Sequence, residues 1–88
     1  MTNAVEIARS ESIAANAALH NAGVIYLGES EWNSERRASH LADIEEQARV
    51  FGERRLTSRA RTLLTVWRRA QLAEANYERA IESMTRAV

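Results

Sequence analysis

At 88 residues the chain has the length of one domain, and a chain this short buries only ~60–65% of the surface its unfolded form exposes. It has no cysteine, which excludes disulfide staples, thiol catalysis and Cys-based zinc sites and leaves oligomerisation as the common remaining source of buried area. Net charge is zero, which excludes a surface that seeks nucleic acid over its whole extent, but the charge is uneven: −4 over residues 1–35, +5 over 36–69 and −1 over 70–88.

Every basic side chain is Arg. Together with abundant Ala, this fits the GC-rich coding of a bacterial or phage genome. No apolar run approaches the ~18–20 residues of a membrane span and no secretion signal is evident, so a cytoplasmic location and no membrane partner are expected.

Three glycines, Gly23, Gly28 and Gly52, punctuate the chain. Residues 1–22 are predicted as a first helix. Asn3 stands three residues before Glu6, as in a capping box, and Gly23 follows as the stop. This helix is apolar on two sides: Val5, Ala8, Ala15, Leu19 and Ala22 line one, and Ile7, Ala14 and Ala18 line another. Such a pattern suits a helix between two neighbours.

Residues 23–30 are predicted as a connection. Its core, Val24 to Leu27, is too short and too isolated for a strand, so it is expected to plug one end of the helices. Residues 31–51 form a second predicted helix, with Ala38, Leu41, Ile44, Ala48 and Phe51 on its apolar face and Glu35, Asp43 and Glu46 on the other side. Gly52 is read as a short turn that makes this helix the antiparallel neighbour of the next one. A continuous helix through Gly52 is the rival, at a cost of ~1 kcal/mol.

The third predicted helix, residues 53–87, carries the strongest pattern. Leu56, Leu63, Ala70, Tyr77 and Met84 recur every seven residues. Val66, Ala73, Ala80 and Ala87 interleave to give the three-and-four spacing of a heptad seam, and Trp67 and Ile81 widen it. Neither Gly nor Pro interrupts the stretch. At 100° per residue, Arg54, Arg61, Arg68, Arg79 and Arg86 fall in an arc nearly opposite the seam. Glu82 stands four residues before Arg86, the favourable order for a helix ion pair. By contrast, Arg54, Arg55, Arg61, Arg68 and Arg69 have no acid three or four positions away.

The stretch from Leu56 to Val88 makes a rod of about 50 Å, whereas a compact chain of this size is about 30–35 Å across. Its apolar side must be covered by an equally long helix, by two shorter helices end to end, or by a second copy of the chain.

Enzyme chemistry is poorly supplied. His40 and Asp43 share a helix edge, which reads as a surface hydrogen bond, since a catalytic or metal site needs three or four convergent groups. His20 stands near a helix end, where carbonyls are free to meet it. No phosphate loop or paired nucleophile is present, and neither metal nor cofactor is expected. Ala-rich hairpins with a central Trp resemble the small secreted helical hairpins built on a Trp-X-Gly turn. Here Trp32 is followed by Asn33 and Ser34, without the Gly, and Tyr77 is followed four residues later by Ile81 instead of an acid, so the chain is not assigned to them.

These readings converge on an all-α protein of two or three helices: an antiparallel hairpin with a long C-terminal coiled-coil-like helix, homodimeric or bound to another protein. The expected role is non-enzymatic, that of an adaptor, chaperone or inhibitor. The helix interface is expected at Leu56, Leu63, Val66, Ala70, Ala73, Tyr77, Ala80, Ile81 and Met84. The expected partner contacts are Arg54, Arg55, Arg61, Arg68, Arg69, Trp67 and Trp32, because Trp and Arg dominate interface hot spots. Trp67 reads more readily as core, and Trp32 alternatively covers the Val24–Leu27 insert. The alternative is a small nucleic-acid-binding regulator using the same Arg ridge.

Overall fold

A computed structural model describes residues 3–86. These form three α-helices and no strand: α1 (Ala4–Leu27), α2 (Ser34–Phe51) and α3 (Ser58–Arg86), with a one-turn 3₁₀ helix at Glu53–Arg55. The all-α class and the hairpin with a long C-terminal helix hold. The partner in the hairpin differs from the expected one. α3 runs antiparallel to α1, with Asn3, Ala4 and Val5 beside Ala80, Ser83 and Met84, and with Ala18 to Ile25 beside Ser58 to Val66.

The reason lies in matching lengths and seams. Among the α1 residues withdrawn from water, Val5, Ala8, Ser12, Ala15, Leu19, Ala22 and Tyr26 form an unbroken three-and-four series, joined near the C-terminal end by Gly23, Val24 and Leu27. Its 24 residues give about 36 Å against about 43 Å for α3, so one helix covers most of the other. Ser12 is buried, and its hydroxyl accepts a long bond from the Asn16 amide. α2 has only Leu41, Ile44 and half-buried Ala48 to offer. Ala38 and Phe51, expected on its packed face, are exposed. α2 therefore closes over one end of the hairpin. The well-filled core lies there, where Leu41 and Ile44 meet Leu19, Trp32, Leu56, Leu63 and Leu64. The long rod is thus covered from within its own chain, which removes the argument from exposed length to a second copy.

The helix boundaries follow from local chemistry with one exception. Asn3 caps α1 by accepting from the Glu6 N–H at 2.8 Å. Asn33 caps α2 by accepting from the Glu35 and Arg36 N–H groups, which starts that helix at Ser34 and not at residue 31. Gly28 and Gly52 adopt φ of +94° and +87° and end α1 and α2, each donating its N–H to the carbonyl four residues back. α3 does not begin at residue 53. Leu56 is extended and buried, and Thr57 accepts from the Ala60 N–H at 3.2 Å, which places the helix start at Ser58.

The exception is Gly23, which does not stop α1. The helix continues through it and takes up Val24–Leu27, so the expected connection over residues 23–30 shrinks to residues 28–33. Gly23 is buried inside α1, one turn before its C-terminal end, under the Trp32 ring, and a Cβ there would overlap the indole. Trp32 is only 4% exposed. Burial of this large ring outweighs the ~1 kcal/mol that a helical glycine costs. The indole Nε1 finds no hydrogen-bond partner among the described residues.

The molecule measures 47 × 28 × 22 Å, with a radius of gyration of 15.4 Å against about 12 Å for a compact chain of this length. The elongation comes from the end that α2 does not reach. There Ala73, Tyr77 and Ala80 are half-buried against α1, and Ile81 and Met84 are 39% and 52% exposed. Ala87 lies outside the described residues.

Candidate functional site

The residues expected to meet a partner fall into three groups. Trp32 leaves the set: it is an interior residue, sealed between α1 and the core. Trp67 is half-buried against the same core, so most of its ring area is spent inside the chain. The arginines stay on the surface, but not as one ridge. Arg54 and Arg55 sit on the 3₁₀ turn, off the axis of α3, while Arg61, Arg68 and Arg69 are on α3.

Arg68 is not free. Its guanidinium donates to the Glu53 carboxylate at 2.5 Å, an acid fifteen residues upstream that the turn at Gly52 brings alongside. Both side chains are about half exposed, at 55% and 52%. A double-mutant cycle on Glu53→Ala and Arg68→Ala, read by urea melts, is expected to give a coupling below about 1 kcal/mol. The acids of α2 do not reach the α3 arginines: Glu46 pairs with Arg49 on its own helix, and Arg36 pairs with Glu31. No ion pair joins Glu82 to Arg86 among the described residues.

Arg61 and Arg69 do converge. They flank a shallow hollow of about 390 Å³ on the outer side of α3, lined further by Ser58, Thr62, Thr65 and Val66. No acid lines it, and neither arginine has an ion pair among the described residues. The hollow runs into a second one, of about 490 Å³, through shared Ser58, Thr62 and Val66. This second hollow lies between α1 and α3, with Ala18, Asn21, Ala22 and Ile25 on one wall and Arg59 at its edge. Across Ile25, Glu29 lines a neighbouring hollow with His20. Arg59 and the α1 wall were not among the expected contacts. The doubly apolar pattern of α1 is the available signal, although the local pattern places Ile25 in the connection.

The hydroxyls of the first hollow have a definite polarity. Thr62 Oγ1 donates to the Ser58 carbonyl and Thr65 Oγ1 to the Arg61 carbonyl, both at 3.0 Å. Their protons are used within the helix, and they face outward with lone pairs. The surface therefore combines two strong cationic donors with two neutral acceptors and an apolar Val66.

His40 and Asp43 make no hydrogen bond to each other. Among the described residues no three His, Asp or Glu side chains are grouped to hold a metal ion. No described helix is long and apolar enough to cross a membrane. Comparison with known proteins finds no family model, no curated protein and no solved structure that matches this chain. The class that the fold and surface define is a small three-helix protein with an arginine-edged, partly apolar face on its longest helix.

Proposed function

We propose that the protein is a non-enzymatic interaction module, an adaptor or inhibitor, that presents the outer face of α3 to an acidic partner protein. The observation that carries this reading is the hollow flanked by Arg61 and Arg69, cationic and free of any lining acid. Carboxylates on a partner complete the guanidinium forks. Backbone or side-chain N–H groups beside them meet the Thr62 and Thr65 oxygens, and an apolar contact covers Val66. Arg is among the residue types most enriched in energetic interface anchors.

A phosphate backbone is the second reading, favoured by the same arginines. The Thr hydroxyls favour a protein, because their outward lone pairs need N–H donors that a protein supplies beside its carboxylates and a phosphate group lacks.

The test compares wild type with the double variant Arg61→Glu, Arg69→Glu. Both side chains are exposed, so helicity by circular dichroism is expected to be unchanged. Affinity capture from the native host is expected to enrich an acidic protein with the wild type and to lose it with the variant. Duplex DNA and RNA are expected to show no mobility shift at low salt. A nucleic-acid shift abolished by the same two changes would transfer the function to the second reading.

A further inference from the structure

A different surface carries an inference that does not depend on Arg61 and Arg69. Ile7, Glu11, Ala14, Ala18, Asn21 and Ile25 of α1 are all exposed, with Ile7 at 48% and Ile25 at 63%. Their spacing is four, three, four, three, four. At 100° per residue they fall within an arc of about 80°, a second heptad seam beside the one that packs on α3. From Ile7 to Ile25 is five helical turns, about 27 Å.

The stripe is symmetric about its midpoint. Laid antiparallel on a copy of itself, Ile7 meets Ile25, Ala14 meets Ala18, and Glu11 meets Asn21, each pairing occurring twice. That is the condition for a closed two-fold interface, in which one patch complements itself. A parallel alignment instead sets Glu11 against Glu11. Charge points the same way. Asn21 and Ile25 share their hollow with Arg59, which has no ion pair among the described residues, and neither does Glu11. In the antiparallel register the Glu11 carboxylate of one copy lies beside Asn21 of the other, at the hollow that Arg59 edges. It can accept there from the amide and the guanidinium.

We infer that the protein forms an antiparallel homodimer through this stripe of α1, with Ala14 and Ala18 at the centre and the Glu11–Asn21 pair fixing the register. Two hairpins so joined make a four-helix bundle whose shared wall is α1. The central alanines let the backbones come close, and the Glu11–Asn21 pairing, made twice, selects one alignment over its neighbours.

Sedimentation equilibrium of the full chain is expected to give twice the 9.9 kDa protomer mass at micromolar concentration. The Ile7→Glu, Ile25→Glu variant buries four carboxylates in the dimer and is expected to weaken association by about a hundredfold or more. Its helicity should be unchanged, since both side chains are exposed in the protomer. Because the chain has no cysteine, cross-links are unambiguous. Oxidising a mixture of Ala14→Cys and Ala18→Cys proteins is expected to give chiefly the mixed disulfide. A monomer at all concentrations, a dimer indifferent to the two Glu substitutions, or disulfides in like-with-like or random yield would each overturn the proposal. A dimer lost only on Arg61→Glu, Arg69→Glu would move the contact to α3.

Discussion

Gly23→Ala is expected to destabilise the protein by about 1–3 kcal/mol, although in an open helix the same change stabilises by up to ~1 kcal/mol. The sign reverses because of one neighbour. Gly23 is buried in the body of α1, and the space a Cβ needs is filled by the indole of Trp32, itself held on all sides. A rigid buried ring cannot swing aside as an exposed chain would, so the helix must shift or the ring must leave the core. The partner test is Trp32→Leu, which removes the ring at some cost in buried area. In that background Gly23→Ala is expected to become neutral or stabilising. Urea melts of the four proteins, followed by far-ultraviolet circular dichroism, give the cycle. If Gly23→Ala has the same effect in both backgrounds, the close approach of ring and helix is not what holds the glycine.

Leu63→Ala is expected to cost about 2–5 kcal/mol, and Met84→Ala less than about 1 kcal/mol. The two residues hold the same heptad position, three repeats apart, yet Leu63 is fully buried and Met84 is 52% exposed. For a chain of this size total stability is about 4–13 kcal/mol, so the first change removes a large fraction and the second almost none. The same gradient predicts where the protein opens. Amides of α3 near Leu63 are expected to exchange with solvent only on global unfolding, and those beyond Tyr77 to exchange sooner by local fraying. Equal losses at the two positions would contradict a core concentrated under α2.

Much of the architecture was legible in the residues themselves. The heptad seam of α3 and the caps at Asn3 and Gly52 depend on chemistry within a few residues along the chain. Helical spacing, φ preferences and side-chain-to-backbone hydrogen bonds act at that range. Arg61 and Arg69 could be placed on the surface for the same reason, since α3 turns them away from its seam.

What needed the tertiary structure was every choice between competing neighbours. That α3 takes α1 and not α2 as its long partner follows from two seams of similar length, one of them built of small residues around Ser12. Neither helix declares that match alone. Arg68 finds Glu53 only because the turn at Gly52 folds back, a contact no helical spacing encodes. Gly23 reads locally as a stop and Ile25 as part of a loop, while Trp32 reads either as a cover for Val24–Leu27 or as a ring presented to a partner. Burial of that one indole against a glycine overturned the first two and chose between the last pair, because the free energy of covering a large apolar surface exceeds the small local preference of a single residue.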